Sequence, residues 1–150
     1  AHLGVSKGAV LHHYRTKGDL IEAMVEVLVA DHRAALEASC AADPEPVGRF
    51  ARALLQVASP AQHRAERGLL SAMLDEPERA EAMRAHWRWC HTRLQADGIS
   101  AVSAARVMLA TDGQWLSELI GLPQFPEPAM AQTFEWMDAL TRTTAPPTHP

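Results

Sequence analysis

A turn and two successive helix starts are encoded near the beginning of the chain by Gly4-Val5-Ser6-Lys7-Gly8-Ala9-Val10-Leu11-His12-His13-Tyr14-Arg15-Thr16-Lys17. Gly4 suits a sharp turn, and Ser6 can cap the next helix by accepting a hydrogen bond from a backbone N–H. Thr16 and Asp19 have capping-box spacing and predict a longer helix from about Lys17. This order is typical of the back half of a helix-turn-helix, whose short helix enters a DNA major groove. A surface hairpin of two helices is the alternative.

Charge is unevenly distributed along the chain. Residues 1–18 contain Lys7, Arg15 and Lys17 and no acidic residue, whereas the whole chain has a net charge of −4. A basic tip on an acidic body indicates that only the tip contacts phosphate. Within the tip, the pattern predicts that Tyr14 packs against the preceding helix and that Lys7, Gly8, Leu11 and His12 are available to a groove.

Composition favours one helical core of ordinary size. The chain has 150 residues, of which 47% are hydrophobic, and no apolar run is long enough to cross a bilayer. Cys40 and Cys90 are far apart and form no CxxC pattern, which favours a reducing compartment. The sequence contains no secretory signal pattern, and its composition is rich in Ala and Arg, so we expect a bacterial cytoplasmic protein. No cofactor is predicted.

Helix signals continue along the rest of the chain, and no alternation of period two occurs. The fold class predicted is all-α. The pattern predicts helices from Lys17 to about Ala41, from Pro46, from Ser59-Pro60, from Pro77 to Asp97-Gly98, from Ser100 to Gly121, and after Pro123, Pro126 and Pro128. Residues 145–150 are expected to be disordered.

Asp112 is the most informative polar residue of the C-terminal part, because it lies on an apolar helical stripe. A carboxylate there requires a partner. It could recognise the amine or hydroxyl of a ligand, or it could be a structural acid paired with an arginine, such as Arg106 or a neighbour, or with a helix end; the structural alternative is favoured.

Two tryptophans of the preceding helix point in different directions. Trp87 lies on a stripe with Met83 and Cys90, whereas Trp89 lies about 200° around the helix with Arg93. We therefore expect one of the two to be core or pocket wall and the other to be exposed or at an interface. The candidate pocket residues are Met73, Met83, Trp87, Cys90, Met108, Asp112 and Trp115. Plain core packing is the alternative for each.

The sequence motifs predict neither a metal site nor a catalytic site. His86, Cys90 and His91 could suggest a metal, because ligands at positions i and i+4 share a helix face, but no third ligand is evident, so no metal site is predicted. No nucleophile elbow, phosphate loop or Cys-His-acid arrangement is present, so an enzyme is not predicted.

Residues 1–41 resemble the end of the DNA-binding domain of the tetracycline-repressor-like (TetR) family. The family pattern, an Ala-Gly-Val-Ser-type turn followed by Leu-Tyr-x-His-Phe and Ser-Lys, is matched by Gly4-Val5-Ser6, Val10-Leu11-His12-His13-Tyr14 and Thr16-Lys17. The usual tyrosine is Leu11 here, which can instead contact a thymine methyl. The family has one helix and most of a second before this point, so the chain is expected to be incomplete at its N-terminus.

The resemblance implies roles for these residues. By this resemblance, Lys7, Gly8 and Ala9 contact the DNA bases, and His13 and Lys17 contact phosphates. The full set implied or predicted to bind DNA is Ser6, Lys7, Gly8, Ala9, Leu11, His12, His13, Tyr14 and Lys17.

A second resemblance covers the C-terminal part, through Glu66-Arg67-Gly68-Leu69-Leu70, Trp87, Leu94-Gln95-Ala96-Asp97-Gly98, Asp112-Gly113-Gln114-Trp115-Leu116 and Leu119-Ile120-Gly121-Leu122. This part of the chain is similar to one class of effector-binding and dimerisation domain of the same family. In that class, the last two long helices of each subunit form a four-helix bundle with those of the other subunit. The residues this implies at the dimer interface are Val102, Leu116, Leu119, Met130, Phe134 and Met137.

The function expected is a ligand-responsive transcription regulator, most simply a repressor, that binds a palindromic double-stranded DNA operator as a homodimer. The domains expected are residues 1–41, the end of the helix-turn-helix domain with its connecting helix, and residues 46–144, the ligand-binding and dimerisation domain. A helical ligand-binding or dimerisation module that does not bind DNA is the alternative, and a small helical enzyme is a third hypothesis.

Overall fold

The computed structural model of the chain describes residues 14–57 and 81–142, which form five α-helices. They are α1 (Lys17–Ala42), α2 (Arg49–Val57), α3 (Glu81–Gln95), α4 (Ala101–Ile120) and α5 (Glu127–Thr141). No β-strand occurs within these two segments, so the all-α prediction is confirmed. The short helix before Tyr14, the helix from Ser59, the start at Pro77 and the tail lie outside the described residues.

Helix α1 begins at the predicted capping box. The Thr16 hydroxyl accepts a hydrogen bond of 3.0 Å from the Asp19 amide, and the Asp19 carboxylate accepts one of 3.1 Å from the Thr16 amide. On α1, Ile21, Val25 and Val29 are buried, whereas Met24 is 42% exposed. The buried residues recur every four positions, so they lie on one face of the helix.

Helix α2 starts later than the sequence predicts. The pattern places its first residue at Pro46, but the helix begins at Arg49, after a turn in which Gly48 has a φ of +71°. The reason is a distant acceptor: the carboxylate of Asp97 receives hydrogen bonds of 2.9 and 2.8 Å from the amides of Phe50 and Ala51. Burial raises the pKa of Asp97. A side chain that follows α3 therefore caps α2.

Helix α2 is the centre of the molecule and contacts each of the other four described helices. Its Phe50, Ala51, Ala53 and Leu54 form the main core with residues of α1, α3 and α4 and with Ile99. A smaller apolar cluster of Ile21, Val25 and Val29 packs with Leu28, Ala82 and Met83, and joins the first half of α1 to the beginning of α3.

Arg52 is a buried cation of α2, only 1% exposed. Its guanidinium forms an ion pair of 2.6 Å with Asp43 and donates to the carbonyls of Val47 and Glu45 at 2.8 Å. These interactions of Arg52 stabilise the segment between α1 and α2. The ion pair lowers the pKa of Asp43. Because the guanidinium is satisfied on several sides, its burial is tolerable.

Helix α4 has the predicted ends, whereas α5 begins at Glu127, one residue before Pro128, which the sequence pattern places ahead of the helix. The Ser100 hydroxyl accepts from the Ser103 amide at 3.0 Å, and Gly121 terminates α4 in the left-handed conformation. Helix α5 follows Pro126. No helix in the described part of the chain is long and apolar enough to cross a bilayer.

Candidate functional site

Two tryptophans and a carboxylate meet where α3 lies against α4. The indole N–H of Trp87 donates a hydrogen bond of 3.2 Å to Oδ1 of Asp112. The rings of Trp87 and Trp115 are in edge contact, with centroids 5.5 Å apart and an angle of 60° between their planes. All three side chains are half-buried. We call Trp87, Asp112 and Trp115 the indole–carboxylate site.

Asp112 has an indole and not an arginine as its partner. Within residues 14–57 and 81–142, no ion pair involves Asp112, and Arg106 instead lies over the ring of Trp136, 5.6 Å from its centroid. The expected pairing with Arg106 is therefore wrong. Burial raises the pKa of Asp112, and the hydrogen bond from Trp87 opposes this effect. The carboxylate consequently carries a desolvation cost that one neutral donor offsets only in part.

The other predicted pocket residues that the structure describes belong to the two apolar clusters. Cys90 is buried in the main core, and Met108 is half-buried against that core. Met83 packs against the smaller cluster of α1. Met73 lies outside the described residues. The structure thus brings together three of the seven predicted residues.

A histidine pair joins α3 to α1 next to this site. His86, which precedes Trp87, is 2% exposed, and its Nε2 lies 2.8 Å from Nδ1 of His32 on α1. Arg33 of α1 donates from Nε to Nδ1 of His86 at 3.3 Å. The rings of His86 and Trp87 are in edge contact, with centroids 5.7 Å apart. A continuous set of contacts therefore runs from Asp112 through Trp87 and His86 to α1.

These contacts fix the protonation of His86. A guanidinium only donates, so Nδ1 of His86 must accept, and the proton of the neutral ring is on Nε2, directed at His32. Burial, followed by the charges of His32 and Arg33, lowers the pKa of His86 to about 4. Burial also lowers the pKa of His32. Both effects favour uncharged rings at this contact at neutral pH.

Sequence reasoning missed His32 and Arg33. The signal for His32 was available, since it follows Val25 and Val29 and precedes Leu36 at helical spacing on the buried face of α1. Its partner 54 positions further on could not be read from spacing.

Trp89, like Trp87, is half-buried and not exposed, although the sequence pattern predicts that one of the two is exposed or at an interface. It is half-buried against the main core and in edge contact with Phe50, with ring centroids 5.4 Å apart. The guanidinium groups of Arg33 and Arg93 lie 5.0 and 5.4 Å from the centroid of its ring. Both tryptophans are therefore packed, on two sides of α3, because α1 covers one side and α4 the other.

No group of three or more His, Cys, Asp or Glu side chains that could hold a metal ion occurs in the described part of the chain. His86 and Cys90 are in contact, with Nε2 and Sγ 3.6 Å apart, whereas His91 is exposed. Burial raises the pKa of Cys90 to about 12, so this sulfur is a thiol at neutral pH.

The structure describes only two of the residues predicted to bind DNA. Lys17 is exposed in the first turn of α1, and Tyr14 is half-buried just before that helix. The remaining predicted DNA contacts, Ser6, Lys7, Gly8, Ala9, Leu11, His12 and His13, lie outside the described residues.

The predicted interface residues differ in exposure. On α4, Val102 and Leu116 are 60% and 45% exposed, and Leu109, which was not predicted, is 73% exposed. On α5, Met130 and Phe134 are half-buried, whereas Met137 is buried within the chain itself. The side chain of Leu119 lies outside what the structure describes. The inward face of α4 carries the small residues Ser103, Ala104, Val107 and Thr111, and Met108 and Trp115 also pack within the chain, whereas Val102, Leu109 and Leu116 are exposed.

Comparison with known proteins identifies one family. The family described as "Tetracyclin repressor-like, C-terminal domain" matches residues 48–142, which include the indole–carboxylate site and His86. No curated protein and no solved structure matches the chain.

Proposed function

The chain belongs to the tetracycline repressor-like family, a family of transcription regulators and not of enzymes, and from that premise we propose that it is a ligand-responsive DNA-binding repressor. It binds a palindromic operator in the bacterial cytoplasm as a homodimer. Its effector binds at the indole–carboxylate site, and its DNA contacts come from Ser6, Lys7, Gly8, Ala9, Leu11, His12, His13, Tyr14 and Lys17.

The observation that carries this proposal is the course of α1. The helix begins directly after the proposed DNA-reading segment and continues to the main core at Leu36 and Cys40. On the way it contacts α3 through the 2.8 Å hydrogen bond between His32 and His86, one residue from Trp87. A shift at the indole–carboxylate site therefore has a short, packed route to the helix that holds the DNA-reading end.

The mechanism follows from two geometric requirements. Two recognition helices of a dimer must lie about 34–36 Å apart to enter successive major grooves on one side of DNA. An effector that fits only one arrangement of α3 and α4 changes this separation by moving α1. It can release DNA only to the extent that it binds the two arrangements with different affinity.

The dimer proposed here uses the outward faces of α4 and α5. The exposed apolar side chains Leu109 and Leu116 on α4 and Trp136 on α5 form a surface of the kind that a subunit interface buries. Arg106 over Trp136 adds a cation on the same region.

The proposal is tested by fluorescence anisotropy of the full gene product with DNA from upstream of its own gene, over a series of salt concentrations. Lys17→Ala should weaken binding to every sequence and reduce the salt slope by about one, because one phosphate contact is lost. Arg88→Ala, an exposed cation on α3 paired with Glu81, serves as the control and should leave the slope unchanged. An unchanged slope for Lys17→Ala would contradict the phosphate role. A folded dimer that does not select its own DNA over a scrambled sequence would favour the module that does not bind DNA.

A further inference from the structure

The indole–carboxylate site combines two features that point to one ligand chemistry. Asp112 is a carboxylate with no cationic partner within the described residues, and its donor there is the neutral indole N–H of Trp87 at 3.2 Å. Two indole rings lie beside it, in contact with each other. The faces of indole rings carry a negative quadrupole, which attracts cations.

The local charge of the site is negative. His86 has a pKa of about 4 and is neutral at pH 7, and Cys90, with a pKa of about 12, is neutral as well. Arg33, which contacts His86, faces the other side of α3, where it lies over Trp89. Among the residues that the structure describes, Asp112 is therefore the charged group in hydrogen-bond contact with an indole of the site.

Ligand classes differ in what they can use here. An anion is repelled by the carboxylate, and a neutral hydroxyl can donate to Asp112 but gains nothing from the ring faces. An ammonium group is attracted by both the carboxylate and the ring faces, and it supplies a counter-charge to Asp112, which has none among residues 14–57 and 81–142. A carboxylate can accept at several lone-pair positions, so the hydrogen bond from Trp87 leaves room for a second partner.

We propose that Trp87, Asp112 and Trp115 bind the ammonium group of an organic cation, with the carboxylate as counter-ion and the indoles as the surface on which the cation rests. The inference rests on the proposed function, since it assigns the chemical class of the effector. Trp87 has two roles in this site: its N–H orients the carboxylate, and its ring contributes to the aromatic surface.

The test compares two probes of almost the same shape by isothermal titration calorimetry at pH 7.5. Choline carries a quaternary ammonium group, and 3,3-dimethylbutan-1-ol has a carbon in place of the nitrogen and is neutral. Choline should bind at least about tenfold more tightly than the alcohol, equivalent to about 1.4 kcal/mol. Equal affinities, or no binding of choline, would overturn the proposal.

Two variants locate the effect. Asp112→Asn keeps an oxygen that accepts from Trp87 but removes the charge, and it should weaken choline binding by about tenfold while leaving the alcohol unchanged. Asp138→Asn removes a charge that pairs with Arg142 at 2.8 Å on α5, and it should have no effect. Choline affinity that is equal in Asp112→Asn and the unmodified protein would overturn the assignment of the site. Thermal unfolding establishes that each variant is folded.

The same preparations are assayed for DNA binding, which separates this inference from the proposed function. Loss of cation selectivity with intact DNA binding refutes only the ligand class. Selective choline binding without DNA binding refutes the regulator and leaves the cation site in place.

Discussion

Replacement of His86 by glutamine should remove a defined part of the pH dependence of stability. Glutamine does not titrate, yet its amide can accept from Arg33 and donate to His32 as the neutral imidazole does. The pKa of His86 is about 4 in the folded chain, compared with an ordinary value of 6.5. The unfolded chain therefore binds a proton at His86 at a pH where the folded chain does not.

The sign and size of the effect follow from this difference. Above pH 6.5 the ring is neutral in both states, and the stability that its neutral contacts provide is fully present. As the pH falls from 6.5 to about 4, protonation of the unfolded state lowers the free energy of unfolding. At about 1.4 kcal/mol per pH unit, the whole window corresponds to about 3 kcal/mol, of which about 2 kcal/mol is lost by pH 5. Solvent screening reduces this little, since His86 is 2% exposed.

The assay is urea unfolding at pH 7.5 and pH 5.0 for the unmodified chain and for His86→Gln. The unmodified chain should lose about 2 kcal/mol more than the variant between these two pH values. His91→Gln is the matched control, because His91 is an exposed histidine of the same helix, and it should retain the loss seen in the unmodified chain. Equal losses in the unmodified chain and His86→Gln would refute the inference that the buried ring stays neutral.

Two further predictions concern the turn before α2 and the dimer. Gly48→Ala should destabilise the chain by at least about 2 kcal/mol, because φ is +71° and the new Cβ would collide with the carbonyl oxygen of Thr141. Gly113→Ala, inside α4 and facing open space, should instead stabilise by about 0.5–1 kcal/mol in the same thermal unfolding series; destabilisation by both would contradict this reading of the turn. Leu116→Glu should shift sedimentation from dimer to monomer without loss of helix content, since this side chain is exposed in the single chain, whereas Val27→Glu on α1 should leave the dimer intact. A dimer unaffected by Leu116→Glu would place the interface elsewhere.

Much of the local structure could be predicted because its causes lie within a few residues. The capping box of Thr16 and Asp19, the cap at Ser100 and the left-handed Gly121 each involve groups no more than five positions apart. The all-α class follows from the same kind of signal, repeated along the chain. Trp87 and Asp112 were candidates because each lies on an apolar stripe, a property of its own helix.

The start of α2 and the partners in the candidate site could not be predicted in this way. Asp97 caps α2 from 46 and 47 positions away, and no rule of spacing connects the two. Asp112 was expected to pair with a cation on its own helix, but the crossing of α3 and α4 places an indole N–H there instead. Likewise, Trp89 is packed because α1 covers it.

The sequence by itself determined that this chain is helical and where most of the described helices begin and end. It also indicated Trp87 and Asp112 as candidate site residues. Both follow because hydrogen bonding and apolar periodicity within a helix are set by near neighbours. Only the tertiary structure decided that His86 meets His32, that Asp112 meets the indole of Trp87 and no cation among the described residues, and that Leu109 and Leu116 of α4 are exposed. These facts depend on how helices pack against one another, and residues 25 to 54 positions apart become neighbours only through that packing.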